Sequence, residues 1–224
     1  MTSNLVVSPS LIQEVTFAGD EVLLTGQIEY PETPRKSAAY PLLFILHHAC
    51  CGTRDAYEGY AKLALQRGCA AFRWDKRGCG RSGGGGRGST TQDAVNAYAC
   101  AVEQPFIDRE RVVVLAIGAG TGLFGSAFDA FAQVQPPRAA LLISNMLDET
   151  AIVAIKTPIY VLASADDWNP PERYAIGAVQ AHRAAHQLGS TYHIIDGVTR
   201  MLETADGALS LDAQKVIADW LSRI

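Results

Sequence analysis

Five short, mostly apolar runs constrain this chain more than any other feature: residues 42–46 (Leu-Leu-Phe-Ile-Leu), 70–74 (Ala-Ala-Phe-Arg-Trp), 112–117 (Val-Val-Val-Leu-Ala-Ile), 139–143 (Ala-Ala-Leu-Leu-Ile) and 159–163 (Ile-Tyr-Val-Leu-Ala). They are too short for buried helices and lack the polar alternation of half-solvated strands, so both faces of each must meet protein, as in a parallel sheet covered on two sides. Segments with helical spacing separate them at 57–67, 91–102, 121–133 and 172–188, and a last one at 211–223 closes the chain. Such alternation demands right-handed crossovers and predicts an α/β fold: a mostly parallel twisted sheet with helices on both faces. Ahead of it, amphipathic runs at 11–17 and 22–29 flank Ala18-Gly19-Asp20-Glu21 and predict an N-terminal antiparallel hairpin. With 224 residues, 48% of them hydrophobic, residues 1–224 are expected to form a single domain.

Several function classes drop out. No apolar run approaches the ~20 residues that span a bilayer, and the opening Met1-Thr2-Ser3-Asn4 lacks the basic start and apolar stretch of a secretory signal. A soluble cytoplasmic protein with no membrane partner is expected. A formal net charge of −4 offers no electrostatic footprint for nucleic acid. The five cysteines, Cys50, Cys51, Cys69, Cys79 and Cys100, are odd in number and scattered, which predicts reduced thiols. No Cys-x-x-Cys pair exists, and His182 with His186, four apart on a helix, lack a third ligand, so no metal site is expected and the two histidines are assigned to solvated helix surface. The glycine-rich stretch 82–89 reads as a surface loop, since no Gly-Lys-Ser/Thr follows it to cradle phosphate. Nothing in the sequence asks for a cofactor.

In an open parallel sheet, ligands bind beyond the C-terminal strand ends. There, Gly118-Ala119-Gly120-Thr121-Gly122 carries a buried strand straight into a helix with small residues around the turn, the backbone setting of a nucleophile elbow. His48-Ala49-Cys50-Cys51-Gly52 follows the first parallel strand, and Asp75-Lys76-Arg77-Gly78-Cys79-Gly80-Arg81-Ser82 follows the next. Residues 162–167 end in Asp166-Asp167, and residues 195–203 form a later loop containing Arg200. In these stretches and their order the chain resembles the α/β-hydrolase superfamily, particularly its small lidless, dienelactone-hydrolase-like esterases. The resemblance implies the α/β-hydrolase fold without a cap domain. Residues 48–52 match the family's His-Gly oxyanion segment, and residues 75–82 its Asp-x-Arg-Gly-x-Gly-x-Ser loop. Asp167 falls on the acid, Gly120 on the nucleophile and Arg200 on the histidine.

That register leaves two of three catalytic groups missing. Glycine carries no nucleophile, and a guanidinium with pKa above ~12 is no general base. Retained instead is an oxyanion cradle: backbone N–H groups of Thr121 and Cys50, the positive end of the helix from Thr121, and Arg200 held by Asp167. The sequence therefore predicts a pocket over Gly120 for a small anionic or carbonyl-containing ligand, lined by Asn145, Trp168 and Met201. A non-hydrolytic enzyme of lyase, isomerase or cyclase type, with Asp167, Arg200 and His48 as catalytic candidates, is one reading. A non-catalytic binding or regulatory protein is the second. The third is a hydrolase with its nucleophile displaced to Cys50 or Cys51, activated by His48.

Overall fold

The computed structural model describes residues 12–32, 39–49 and 52–224, and Cys50 and Cys51 lie outside them. The predicted hairpin forms from β1 (Ile12–Ala18) and β2 (Leu23–Glu29), paired antiparallel with Ile12 opposite Glu29. Residues of β1 alternate between exposed and half-buried, as suits a sheet edge with one wet face. The apolar runs then give β3 (Tyr40–Leu46), β4 (Ala70–Trp74), β5 (Ile107–Ile117), β6 (Ala139–Ile143) and β7 (Ile159–Ser164), followed by β8 (Thr191–Ile195). Among the described residues the sheet has eight strands in the order β1-β2-β4-β3-β5-β6-β7-β8. Strands β3 to β8 pair in parallel, while β2 joins β4 antiparallel through Gly26 to Glu29.

Strand period two sorts β3 into two cores. Leu42, Phe44 and Leu46 enter one, with Tyr98 of α2 (Thr90–Val102), Phe124 of α3 (Ala119–Ser126) and Phe131 of α4 (Phe128–Val134). Leu43 and Ile45 enter the other, against α1 (Glu58–Gln66) and α6 (Leu211–Leu221). Phe44, Tyr98, Phe131 and Phe124 form a chain of edge-to-face contacts with centroids 5.1–5.5 Å apart, the geometry that ring quadrupoles favour.

Three helices depart from the sequence reading. The segment expected at 121–133 starts two residues earlier, at Ala119, and breaks at Ala127 into α3 and α4. The segment expected at 172–188 opens with a π-helical turn, Glu172–Gly177, before α5 (Ala178–His186). On α5, His182 is buried rather than solvated. Its Nε2 lies 2.8 Å from the Ile155 carbonyl and its Nδ1 2.9 Å from Ser190 Oγ, while His186 Nε2 meets the Val153 carbonyl at 2.8 Å. Both rings tether α5 to the short helical turn Ile152–Ala154 that follows β6. No described helix is long and apolar enough to cross a membrane.

Candidate functional site

The turn between β5 and α3 decides where the elbow's apex lies. Gly118 has φ 52° and ψ −117°, a conformation open to glycine and strained for any residue with a Cβ. The apex is therefore Gly118, two residues before the position expected from sequence, and the pattern of small residues around the turn is Ala116-Ile117-Gly118-Ala119-Gly120. Gly120 packs its α-carbon against the end of β3. A Cβ there would lie 2.8 Å from the Leu46 carbonyl oxygen and 2.9 Å from that of His47, so its hydrogen lets α3 approach the end of β3. Thr121 is likewise spent: both its N–H (2.9 Å) and its hydroxyl (2.7 Å) donate to the Gly118 carbonyl, and the hydroxyl accepts from Met146 N at 3.0 Å. The first N–H past the apex belongs to Ala119 instead.

Above Gly118 stands His48. A Cβ built on Gly118 would run into His48 Cδ2, with Nε2 only 2.9 Å away, so the imidazole occupies the volume of an apex side chain. The His48 backbone is clamped at both ends: its N–H donates to Tyr57 Oη at 2.8 Å and its carbonyl accepts from Lys76 Nζ at 2.6 Å. Burial, with Arg200 and Lys76 adding repulsion, holds the His48 pKa below the ordinary imidazole value and favours the neutral ring.

Gly118 N–H donates to the Ile143 carbonyl at 2.9 Å, which sets the apex beside the end of β6. Next in line is Ser144, fully buried and at φ 51°. Its hydroxyl lies 2.9 Å from Asp167 Oδ2 and 2.7 Å from the Arg200 carbonyl, so its one proton serves one acceptor at a time, and it accepts from Arg200 Nε at 3.1 Å. Arg200 Nε stands 3.9 Å from Asp167 Oδ1, bringing the expected acid and its expected partner together through the Ser144 bridge. The guanidinium carbon sits 4.1 Å from the centroid of the Trp168 ring, which is 76% exposed, and buried Nη2 has no hydrogen-bond partner. Arg200, Lys76 and Asp167 together carry one net positive charge.

No protein-family model and no curated protein sequence matches the chain. Solved structures match along nearly its whole length at low identity. An esterase domain from a Rhodothermus marinus protein superposes with TM-score 0.69 at 16% identity, over 95% of this chain and 98% of that one. A serine hydrolase without a lid from Xanthomonas campestris does so with TM-score 0.69 at 15% identity and 96% of both chains, and a carboxylesterase from Lactobacillus plantarum with 0.69 at 13%, over 96% and 98%. The chain has the α/β-hydrolase fold.

Within that fold, the strand ends of β3, β5, β6 and β7 and the loop after β8 bring His48, Gly118, Ser144, Asp167 and Arg200 to one edge. Other expected lining residues turn elsewhere. Asn145 is buried, its Nδ2 donating to the carbonyls of Leu147 (2.8 Å) and Tyr174 (2.7 Å) and its Oδ1 accepting from Leu147 N, so its side chain builds the loop instead of facing a ligand. Met201 packs against the α1/α6 core. Trp168 stays at the mouth, stacked on Arg200. Cys50 and Cys51 lie outside the described residues, while Cys69, Cys79 and Cys100 form no disulfide among the described residues. Ser144 was not singled out by sequence, where it reads only as the residue closing an apolar strand.

The Asp75 loop of this α/β-hydrolase fold is structural. Asp75 accepts from the backbone N–H groups of Arg54 (2.8 Å) and Arg81 (3.0 Å), and Ser82 Oγ donates to its carbonyl. Behind the elbow lies a mostly apolar cavity of about 190 Å³ whose lining includes Leu46, Trp74, Ala119, Gly120 and Leu123 together with the charged Lys76, Arg77 and Asp93. An engineered cavity of about 150 Å³ admits benzene, so this one has room for a ring-sized apolar group.

Proposed function

We propose that this α/β-hydrolase-fold protein is a non-hydrolytic enzyme acting on a small, anionic, carbonyl-containing molecule in a cytoplasmic setting. One observation carries the reading: the elbow's apex is Gly118, and the imidazole of His48 stands where a nucleophile's side chain would be. The position next to Asp167 that the resemblance gives to a general base holds Arg200, a side chain that donates hydrogen bonds and accepts none. Acyl transfer through a Ser-His-Asp relay has neither its first nor its second member here. Three features support the choice of ligand: the net positive charge of Lys76, Arg200 and Asp167, the partnerless Arg200 Nη2, and the Ala119 N–H just past the apex. The esterase names carried by the structural neighbours belong to proteins at most 16% identical to this chain.

The test is hydrolysis of p-nitrophenyl acetate and butyrate before and after thiol alkylation. The expected result is no turnover above the buffer rate, before or after alkylation. Turnover that persists after alkylation and co-purifies with the protein overturns the reading. Activity abolished by alkylation moves the chemistry to Cys50 or Cys51 and also overturns it.

A further inference from the structure

Resting on that reading, we infer that His48 is the site's catalytic base and removes a proton from the carbon beside a carbonyl of a carboxylate-bearing substrate, while Arg200 holds the anion. His48 and Arg200 approach the apex from opposite sides, from the ends of β3 and β8. Gly118, under the imidazole, hydrogen-bonds to Ile143, and Arg200 bonds to the adjacent Ser144, so the two side chains stand over neighbouring strand ends. A nucleophile at the apex would attack a carbonyl carbon, whereas an imidazole there can take a proton from the carbon beside that carbonyl. The step balances without another reactant. The C–H bond breaks, an N–H bond forms on the imidazole, and the electron pair moves onto the carbonyl oxygen as an enolate. The imidazolium then returns the proton to the enolate carbon or oxygen. Nothing is oxidised or reduced.

The neighbours suit this use. The charged groups around the ring are Lys76 at the end of β4, Arg200 after β8 and Asp167 behind Arg200, and the two cations oppose imidazole protonation at rest. Their charge also favours the enolate.

The probes are phenylpyruvate and pyruvate, each a 2-oxo acid with exchangeable C3 protons, incubated with the full chain in D₂O and followed by proton NMR. Wild type is expected to speed C3 exchange of phenylpyruvate by about 100-fold or more over buffer, the contribution of a placed general base. His48→Gln should return exchange to the buffer rate while phenylpyruvate still binds, and Arg200→Gln should weaken binding about tenfold or more, the effect of losing a charge-assisted hydrogen bond. The rate should rise with pH as the imidazole loses its proton, with a midpoint below the ordinary histidine value. Arg200→Gln and Lys76→Met should each move that midpoint upward, a shift that a structural role for His48 would not produce. Three results overturn the inference: no binding of either acid, binding without accelerated exchange, or exchange that survives His48→Gln. Each differs from thiol-resistant ester hydrolysis, which removes the underlying reading. Absence of both hydrolysis and exchange removes only the base.

Discussion

Two charge-bearing regions of the sheet treat their polar atoms in opposite ways. At the β1-β2-β4 corner almost every charge is paired. Glu29 and Arg73, both buried, meet at 2.5 Å, Arg54 reaches Glu14 at 2.6 Å, and Arg77 grips Asp93 through two bonds of 2.6 and 2.9 Å. These pairs pin the hairpin to the parallel strands, and each of the named charges has a partner. At the ends of β5 to β8, Arg200 spreads one contact over Ser144 and Asp167, retains a buried partnerless nitrogen and lies under an exposed indole. Buried ionic groups with complete partner sets mark architecture, and incomplete sets mark the places where a ligand can supply the rest.

Removing one arginine from each region breaks or upholds this contrast most directly. Arg73→Ala leaves Glu29 buried and alone and should cost about 3–5 kcal/mol in urea unfolding. Arg200→Ala should cost only about 0.5–1.5 kcal/mol, the net worth of its hydrogen bond to Ser144, since Asp167 keeps its own bond to that hydroxyl. Equal losses would erase the distinction.

The second effect is smaller and local to the mouth. Gly118→Ala forces a Cβ into a left-handed turn and against His48, and should destabilise by about 1–3 kcal/mol from backbone strain, with the steric clash added. Combining it with His48→Ala should recover the steric part alone, giving a coupling of about 0.5 kcal/mol or more in a double-mutant cycle. Purely additive losses would mean that the imidazole does not fill the apex volume.

Smallest is the indole. Trp168→Ala should reduce stability by only about 0.5–1 kcal/mol, the worth of an exposed cation–π contact, without altering the corner. A loss of several kcal/mol would show that the mouth is as architectural as the corner.

The sheet was legible in the sequence because runs buried on both faces leave no other solution, and β4 and β6 match the expected bounds residue for residue. The meeting of Asp167 and Arg200 was legible for a related reason: each sits a few residues beyond a strand end, where topology leaves little freedom. The apex was not. Glycines at 118, 120 and 122 together with Ala116 allow the small-x-apex-x-small pattern in two registers, and an apex without a side chain leaves no chemical mark to choose between them. Only the backbone dihedral at Gly118 separates them, and with that choice Gly120 is no longer the apex and Thr121 is engaged by the Gly118 carbonyl. For Asn145 the residue type was compatible with a ligand contact, but an amide that folds its own loop gives the same letter. His182 shows the corresponding ambiguity on a helix, where spacing reveals periodicity without telling which face turns inward.

The line of strand ends has a consequence for how the chain matures. His48 and Arg200 are separated by about two-thirds of the sequence, and the bridge between Ser144 and Asp167 closes only when β6, β7 and the loop beyond β8 are docked. During synthesis the hairpin and the paired corner can form while the mouth is still in pieces, so the protein emerges with its scaffold before its chemistry. A ligand touching both ends of that line engages only the finished chain, and its binding should raise the melting temperature of the whole domain instead of quieting one loop.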